Sequence, residues 1–87
     1  MRKNNTEFQK KKNVVLFVFG YTCQLCGLID INNHVHHIDG INGNNSVFNL
    51  VPLCGHCHKL THKLHIKIKV EYSVSLRDQL LHLEQFF

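Results

Sequence analysis

Apolar and polar residues alternate in several distinct rhythms along this chain. Residues 1–12 are polar and basic, with Arg2, Lys3, Lys10, Lys11 and Lys12, and read as a flexible arm suited to solvent or to phosphate. Val14 to Phe19 is apolar at every position. Its length and β-branching predict a strand, with a short buried helix as the alternative, and Gly20 ends it. Ile29 to Ile38 has extended character around His34, Val35 and His36. The run Asp39 to Ser46 is dominated by Gly, Asn, Asp and Ser, residues that tolerate left-handed backbone or hydrogen-bond their own turns, and it predicts a loop. Leu50, Val51 and Leu53 form a short strand whose internal Pro52 argues for an edge or a strand end. A helix is expected from Cys54 to about His65. Beyond it the period becomes two: Ile66, Ile68, Val70, Tyr72 and Val74 alternate with Lys67, Lys69, Glu71 and Ser73, which predicts a half-buried strand. Ser75 is a candidate cap for a last helix carrying Leu76, Leu80, Leu83 and Phe87 on one stripe. That stripe suits a core or a dimer contact.

At 87 residues the chain has room for one small domain, taken as 13–87, whose core alone is a weak source of stability. Its four cysteines and eight histidines suggest that a metal supplies the rest. Cys23, Cys26, Cys54 and Cys57 form two C-x2-C pairs. Disulfides are the alternative for a small cysteine-rich chain, but the basic start and six-residue apolar run, with no small-residue cleavage site behind them, make a poor secretion signal. Zinc thiolates in an intracellular, reducing compartment such as the cytoplasm are the expectation. No stretch approaches the ~18 to 20 apolar residues of a membrane helix. A net charge of +4 and a pI near 9.0 favour an anionic partner, without choosing by themselves between nucleic acid and a membrane surface.

The histidines carry the candidate chemistry. His36 and His37 are neighbours, so on a strand they point to opposite faces. A hydrolytic site needs one group to hold a cation and another, close by, to activate water. His58 and His62 are four residues apart and share one helix face, the spacing by which two imidazoles reach a single ion. With His36 as a third ligand, positions remain open for water and phosphate. One zinc held by all four cysteines would pin the helix start against the N-terminal segment, separating a closed thiolate site from an open imidazole site.

Taken in order, His36-His37-Ile38-Asp39-Gly40, then Asn49-Leu50, then Leu53-Cys54-Gly55-His56-Cys57-His58 resemble the HNH endonuclease motif, and Cys23-Gln24-Leu25-Cys26-Gly27 resembles the zinc half of its four-cysteine subgroup. The resemblance covers roughly residues 21–62. It implies a small α+β fold, a ββα-metal motif stapled by a four-cysteine zinc site, to which the period-two run and the last stripe add a C-terminal strand and helix. It implies a metal-dependent DNA endonuclease acting on double-stranded DNA, with His37 as general base, His36 and His58 as ligands of a catalytic divalent ion, and Asn49 bracing the loop that aims His37, although in some relatives an asparagine reaches the metal. His62 matches a further ligand found in the toxin-like branch of the family. Many relatives have an acidic residue two before the doublet; this chain has His34, whose role is therefore open. Imidazole ligands admit Mg²⁺, Mn²⁺, Ni²⁺ or Zn²⁺ as the working ion. Lys59, Lys63, Lys67 and Lys69 flank the motif as a basic face that either follows the DNA backbone or is merely solvated. One active site per chain suits nicking, whereas cutting both strands needs two chains or two visits. The rival is a non-catalytic zinc module that binds nucleic acid or protein; it accounts for the cysteines and the charge but not for His37 and Asn49. A redox dithiol is remote, given two C-x2-C pairs among histidines.

Overall fold

A helix begins inside the segment expected to be an arm. In the computed structural model, which describes residues 5–41 and 45–85, helix α1 spans Asn5–Val18. This corrects two expectations. Residues 5–12 are helical rather than a loose arm, and Val14 to Val18 continues that helix instead of forming a strand; residues 1–4 lie outside the described ones. Phe8, Val15 and Val18 recur at helical spacing and pack into one apolar cluster. Lys11 and Lys12 are half-buried along the same helix, and the Lys12 ammonium stands over the Phe8 ring, 5.3 Å from its centroid. The Lys11 ammonium lies 3.7 Å from the Glu84 carboxylate. Complete burial of Val14 and Val15 outweighs the weak preference of β-branched residues for strands. The helix stops in a Schellman arrangement. Gly20 adopts φ +65, its N–H reaches the Phe17 carbonyl at 3.0 Å, and the Tyr21 N–H reaches Leu16 at 2.8 Å.

The chain then folds into a knuckle. The Cys23 N–H donates to the Leu28 carbonyl and the Gly27 N–H to that of Cys23, with Gly27 at φ +82, where a side chain would be strained. Buried Asn33 clamps the knuckle by donating to the carbonyls of Tyr21 and Leu28 at 2.9 and 3.0 Å. The Gln24 N–H hooks it to the Pro52 carbonyl.

Two short strands follow, β1 (His34–His37) and β2 (Leu50–Leu53), paired antiparallel with His36 opposite Val51 and His37 opposite Leu50. In a two-stranded sheet both strands are edges, which accommodates Pro52. The connection between them closes in a 3-10 turn, Val47–Asn49, capped by Ser46; its centre, residues 42–44, lies outside the described ones. Helix α2, Gly55–Leu64, ends at His65 in the left-handed conformation, where the helix was expected to end.

Alternation along β2 splits the core in two. Leu50 joins Val14, Val15, Val47 and Leu80 on one side. Val51 and Leu53 join Cys23, Cys54, Cys57 and Ile68 on the other. Helix α3, Val74–Glu84, packs on the first side through buried Leu80 and half-buried Leu76 and Leu83, so the leucine stripe serves the core; Phe87 lies outside the described residues. The cap is Ser73, not Ser75: its hydroxyl accepts from the Leu76 N–H at 3.1 Å.

The C-terminal strand expected from Ile66 is not formed. Residues 66–73 have no ladder partner among the described residues. Their period-two pattern is nonetheless used, because Ile68 and Val70 face the cysteine side of the core, Tyr72 packs on the other cluster, and Lys67, Lys69 and Glu71 are exposed. Alternation specifies which faces are buried; it does not supply a neighbouring strand. The Tyr72 hydroxyl anchors the segment by donating to the Phe48 carbonyl at 2.9 Å. The described chain is thus a small α+β arrangement of three helices and a two-stranded antiparallel sheet. None of its helices is long and apolar enough to cross a membrane.

Candidate metal centres

The β2–α2 junction gathers two clusters of metal-ligating side chains. The first is Cys23, Cys26, Cys54 and Cys57, whose sulfurs all lie within 4.8 Å of one another. The knuckle presents the first pair. The second comes from the N-cap of α2 and its first turn, where the Cys54 sulfur accepts from the Cys57 N–H. Sulfurs at the corners of a tetrahedron around zinc, with Zn–S near 2.3 Å, stand ~3.8 Å apart. The Cys26 and Cys54 sulfurs are 3.7 Å apart, far beyond an S–S bond of ~2.0 Å, and all four cysteines are free thiols. The cluster therefore fits a structural zinc, and an all-sulfur set is the chemistry zinc or an iron–sulfur centre takes. Burial opposes ionisation of Cys23, but backbone N–H groups of Cys26, Cys54 and Leu25 and the Cys26 thiol outweigh it and bring its pKa down to about 6. Cys57 is pushed up by burial and by the other three sulfurs. Four thiols sharing one space do not all ionise readily without a cation among them.

The second cluster is His36, His58 and His62, each offering a ring nitrogen within 4.8 Å of the others. His36 on β1 is buried at 6 % exposure, His58 is half-buried and His62 is exposed, so the group opens to one side. The Nε2 atoms of His58 and His62 are 3.2 Å apart, consistent with the expected helix-face pair. Burial holds the His58 pKa down to about 4, with His62, His36, His34 and His37 adding to the effect. His36 is lowered likewise, by burial and then by His62 and His37. Both are thereby kept in the neutral form that has a lone pair to give a cation.

His37 points the other way. Val35 packs toward α1, and the His37 ring stacks on Phe8 of the same helix with centroids 5.4 Å apart and planes 21° apart. Its Nε2 lies 2.8 Å from Asn45 Oδ1. An amide oxygen only accepts, so Nε2 carries the proton and the free lone pair is on Nδ1. Although it leaves the sheet on the other face, His37 lines the same cleft as the imidazole cluster. This opening of about 250 Å³ is walled by Phe8, Lys12, Val35, His36, His37, Gly40, His58 and His62.

Asn49 bridges the loop after β1. Its Oδ1 accepts from the Asp39 N–H at 3.1 Å, its Nδ2 donates to Asp39 Oδ1 at 3.0 Å, and its carbonyl accepts from the Ile38 N–H at 2.8 Å. Lys59 and Lys63 are exposed along α2. Lys67 lines a recess shared with His36, Asp39, His62 and His65. Phe8, Lys12 and Asn45 are the residues of this site that the sequence does not single out. Phe8 and Lys12 sit in the segment read as an arm, and only the helical spacing of Phe8, Lys12 and Val15 signals that they share a face. Asn45 is one of several loop asparagines with nothing to distinguish it.

No family model, curated protein or solved structure matches the chain.

Proposed function

We propose that this chain is a metal-dependent nuclease of the HNH type, hydrolysing phosphodiester bonds of double-stranded DNA at the β1–β2–α2 site. The observation that carries the reading is the division of labour in one cleft: three imidazoles, His36, His58 and His62, grouped within 4.8 Å, beside another, His37, that borders the same opening without joining the group.

A divalent ion held by His36, His58 and His62 would supply charge stabilisation for the scissile phosphate and the departing 3′ oxygen. The protein's own groups account for the rest. His37, held on one side by Phe8 and on the other by Asn45, turns its Nδ1 lone pair to a water and takes its proton. The water oxygen bonds to phosphorus, the bond from phosphorus to the 3′ oxygen breaks, and that oxygen takes a proton from solvent, to which His37 releases the one it took, giving 5′-phosphate and 3′-hydroxyl ends. Lys12 at the cleft wall and Lys67 in the adjoining recess place positive charge where a phosphate backbone would approach. Asn49 fixes the loop immediately after His37, which suits a bracing role. The four-cysteine zinc ties α2, with its histidines, to the knuckle.

The test is nicking of supercoiled plasmid with Mg²⁺, Mn²⁺, Ni²⁺ or Zn²⁺ added, beside His37→Ala. Removal of a general base is expected to cost about 10²- to 10⁴-fold while zinc content and helicity persist. DNA binding without cutting under every ion would replace this reading with that of a non-catalytic zinc module.

A further inference from the structure

His34 is a further histidine at this junction, and it stands outside the group of three. It lies two residues before His36, hence on the same face of β1, and meets α2 from the exposed side. Its Nδ1 is 3.1 Å from Nδ1 of His58, with ring centroids 5.1 Å apart. His58 is therefore engaged at both ring nitrogens: Nδ1 toward His34, and Nε2 toward His62 at 3.2 Å.

These two nitrogens point away from each other, so a single ion uses only one. An ion shared with His62 and His36 takes Nε2. A neutral imidazole carries one proton, and the ligating nitrogen must be bare, so the His58 proton belongs on Nδ1. There it has an acceptor, provided His34 carries its own proton on Nε2. That atom faces the start of α2 at Gly55, where even an added Cβ would stand 3.6 Å away, leaving the ring its place. The opposite arrangement, with His34 donating, puts the His58 proton on Nε2 and blocks the lone pair.

We infer that His34 is a positioning residue for the histidine metal site: its Nδ1 accepts the Nδ1–H of His58 and so presents the Nε2 lone pair of His58 to the ion. The inference rests on the metal-site reading above. Partners of this kind fix the tautomer and rotation of a ligating imidazole. A carboxylate in that place adds negative charge; a neutral imidazole orients the ligand and leaves the cation's charge for the phosphate.

The experiment compares wild type, His34→Ala, His34→Gln and His58→Ala, each with zinc retained at the cysteine site as checked by metal analysis and far-UV circular dichroism. Two-bond ¹H–¹⁵N spectra, recorded above the imidazole titration range without added ion, report the tautomer of His58. Calorimetry reports Ni²⁺ affinity at the histidine site. Wild type is expected to show His58 as the Nδ1–H tautomer. His34→Ala is expected to mix the tautomers and weaken Ni²⁺ binding about 10- to 100-fold, and His34→Gln, whose amide oxygen restores an acceptor, to recover most of the loss. A His58 Nε2–H tautomer in wild type overturns the inference, as does unchanged Ni²⁺ affinity in His34→Ala. A loss in His34→Ala as large as in His58→Ala, unrecovered by Gln and accompanied by one fewer coordinated nitrogen in X-ray absorption, makes His34 a ligand instead and also overturns it. If wild type binds Ni²⁺ but His34→Ala is silent, only the His34 role falls. If wild type binds no ion there and cuts nothing, the nuclease reading falls with it.

Discussion

Cys26→Ser separates the two things four clustered cysteines can do for a small protein. Three of the thiols are core residues: Cys23, Cys54 and Cys57 are 1 %, 5 % and 6 % exposed and pack with Val51, Leu53 and Ile68. Cys26 is exposed. If the sulfurs served only as small apolar groups, Cys26→Ser would be close to silent, within about 0.5 kcal/mol as for other surface substitutions. If they hold zinc, losing the exposed ligand is as damaging as losing a buried one. A domain of this size has roughly 4–13 kcal/mol of stability in all, at ~0.05–0.15 kcal/mol per residue. An ion present at about a thousandfold excess over its Kd contributes about 4 kcal/mol of it. A variant whose affinity falls to the ambient zinc level loses most of that, and at about 4–8 °C per kcal/mol for a small domain its Tm drops by roughly 15–30 °C. The assay is thermal melting by circular dichroism under reducing conditions, wild type against Cys26→Ser, with excess zinc and then with a chelator. The gap is expected with zinc and should close with the chelator, because both proteins are then metal-free. A Cys26→Ser melt that matches wild type in zinc, or a gap that survives chelation, refutes a zinc site at these sulfurs.

Asn45→Ala should loosen His37 without removing it. The 2.8 Å bond to Nε2 is what assigns the lone pair to Nδ1, so kcat for plasmid nicking is expected to fall about 10- to 100-fold with KM little changed, and Asn45→Asp, which keeps an acceptor, to restore much of it. An unchanged kcat in Asn45→Ala counts against that assignment. For pH, the sign follows from His58, whose pKa falls from 6.5 to about 4 on folding because burial and the neighbouring imidazoles disfavour its charge. The unfolded chain binds the proton more readily, so this contribution to stability is present above pH 6.5 and is lost as pH falls toward about 4. His36, lowered for the same reasons, acts in the same direction. Melting of protein with zinc at the cysteines and no ion added at the histidines should show Tm declining through that window in wild type and declining less in His58→Ala; equal profiles would dismiss the linkage.

The grouping of the cysteine and histidine side chains was easier to read from this sequence than secondary structure. Candidate metal ligands announce themselves by spacing: C-x2-C places two sulfurs on one turn, and His58 and His62 share a helix face whatever surrounds them. The facing of the doublet followed from strand geometry alone, and His36 and His37 do leave β1 toward α2 and α1 respectively. The errors came where tertiary burial overrode a local signal. Val14 to Phe19 looks like a strand because β-branched residues cluster there, yet its apolar face continues back through Val15 to Phe8 across three lysines. Lysine counts as polar in a pattern and as partly apolar in a fold. The period-two segment after α2 erred in the other direction, since the alternation was real but no partner strand was available to it among the described residues. His34 shows a further limit, because a residue that acts by accepting a hydrogen bond from another histidine leaves no spacing rule to find it by.

The two candidate metal centres share a support. Cys54, Cys57 and His58 occupy the cap and first turn of one helix, and the His58 N–H itself donates to the Cys54 carbonyl at 2.8 Å. Any loss of the thiolate site that lets this turn fray therefore displaces His58 before it disturbs β1, where His36 is held by pairing with β2. His62 is one turn further into α2 and follows the helix. The ligand set would then come apart between β1 and α2, while His37, attached to β1, Phe8 and Asn45, keeps its place. On this argument the cysteines do more than stabilise the chain. They set the distance between a strand that carries His36 and His37 and a helix that carries His58 and His62. Two strands of four residues each are too short to hold that distance alone.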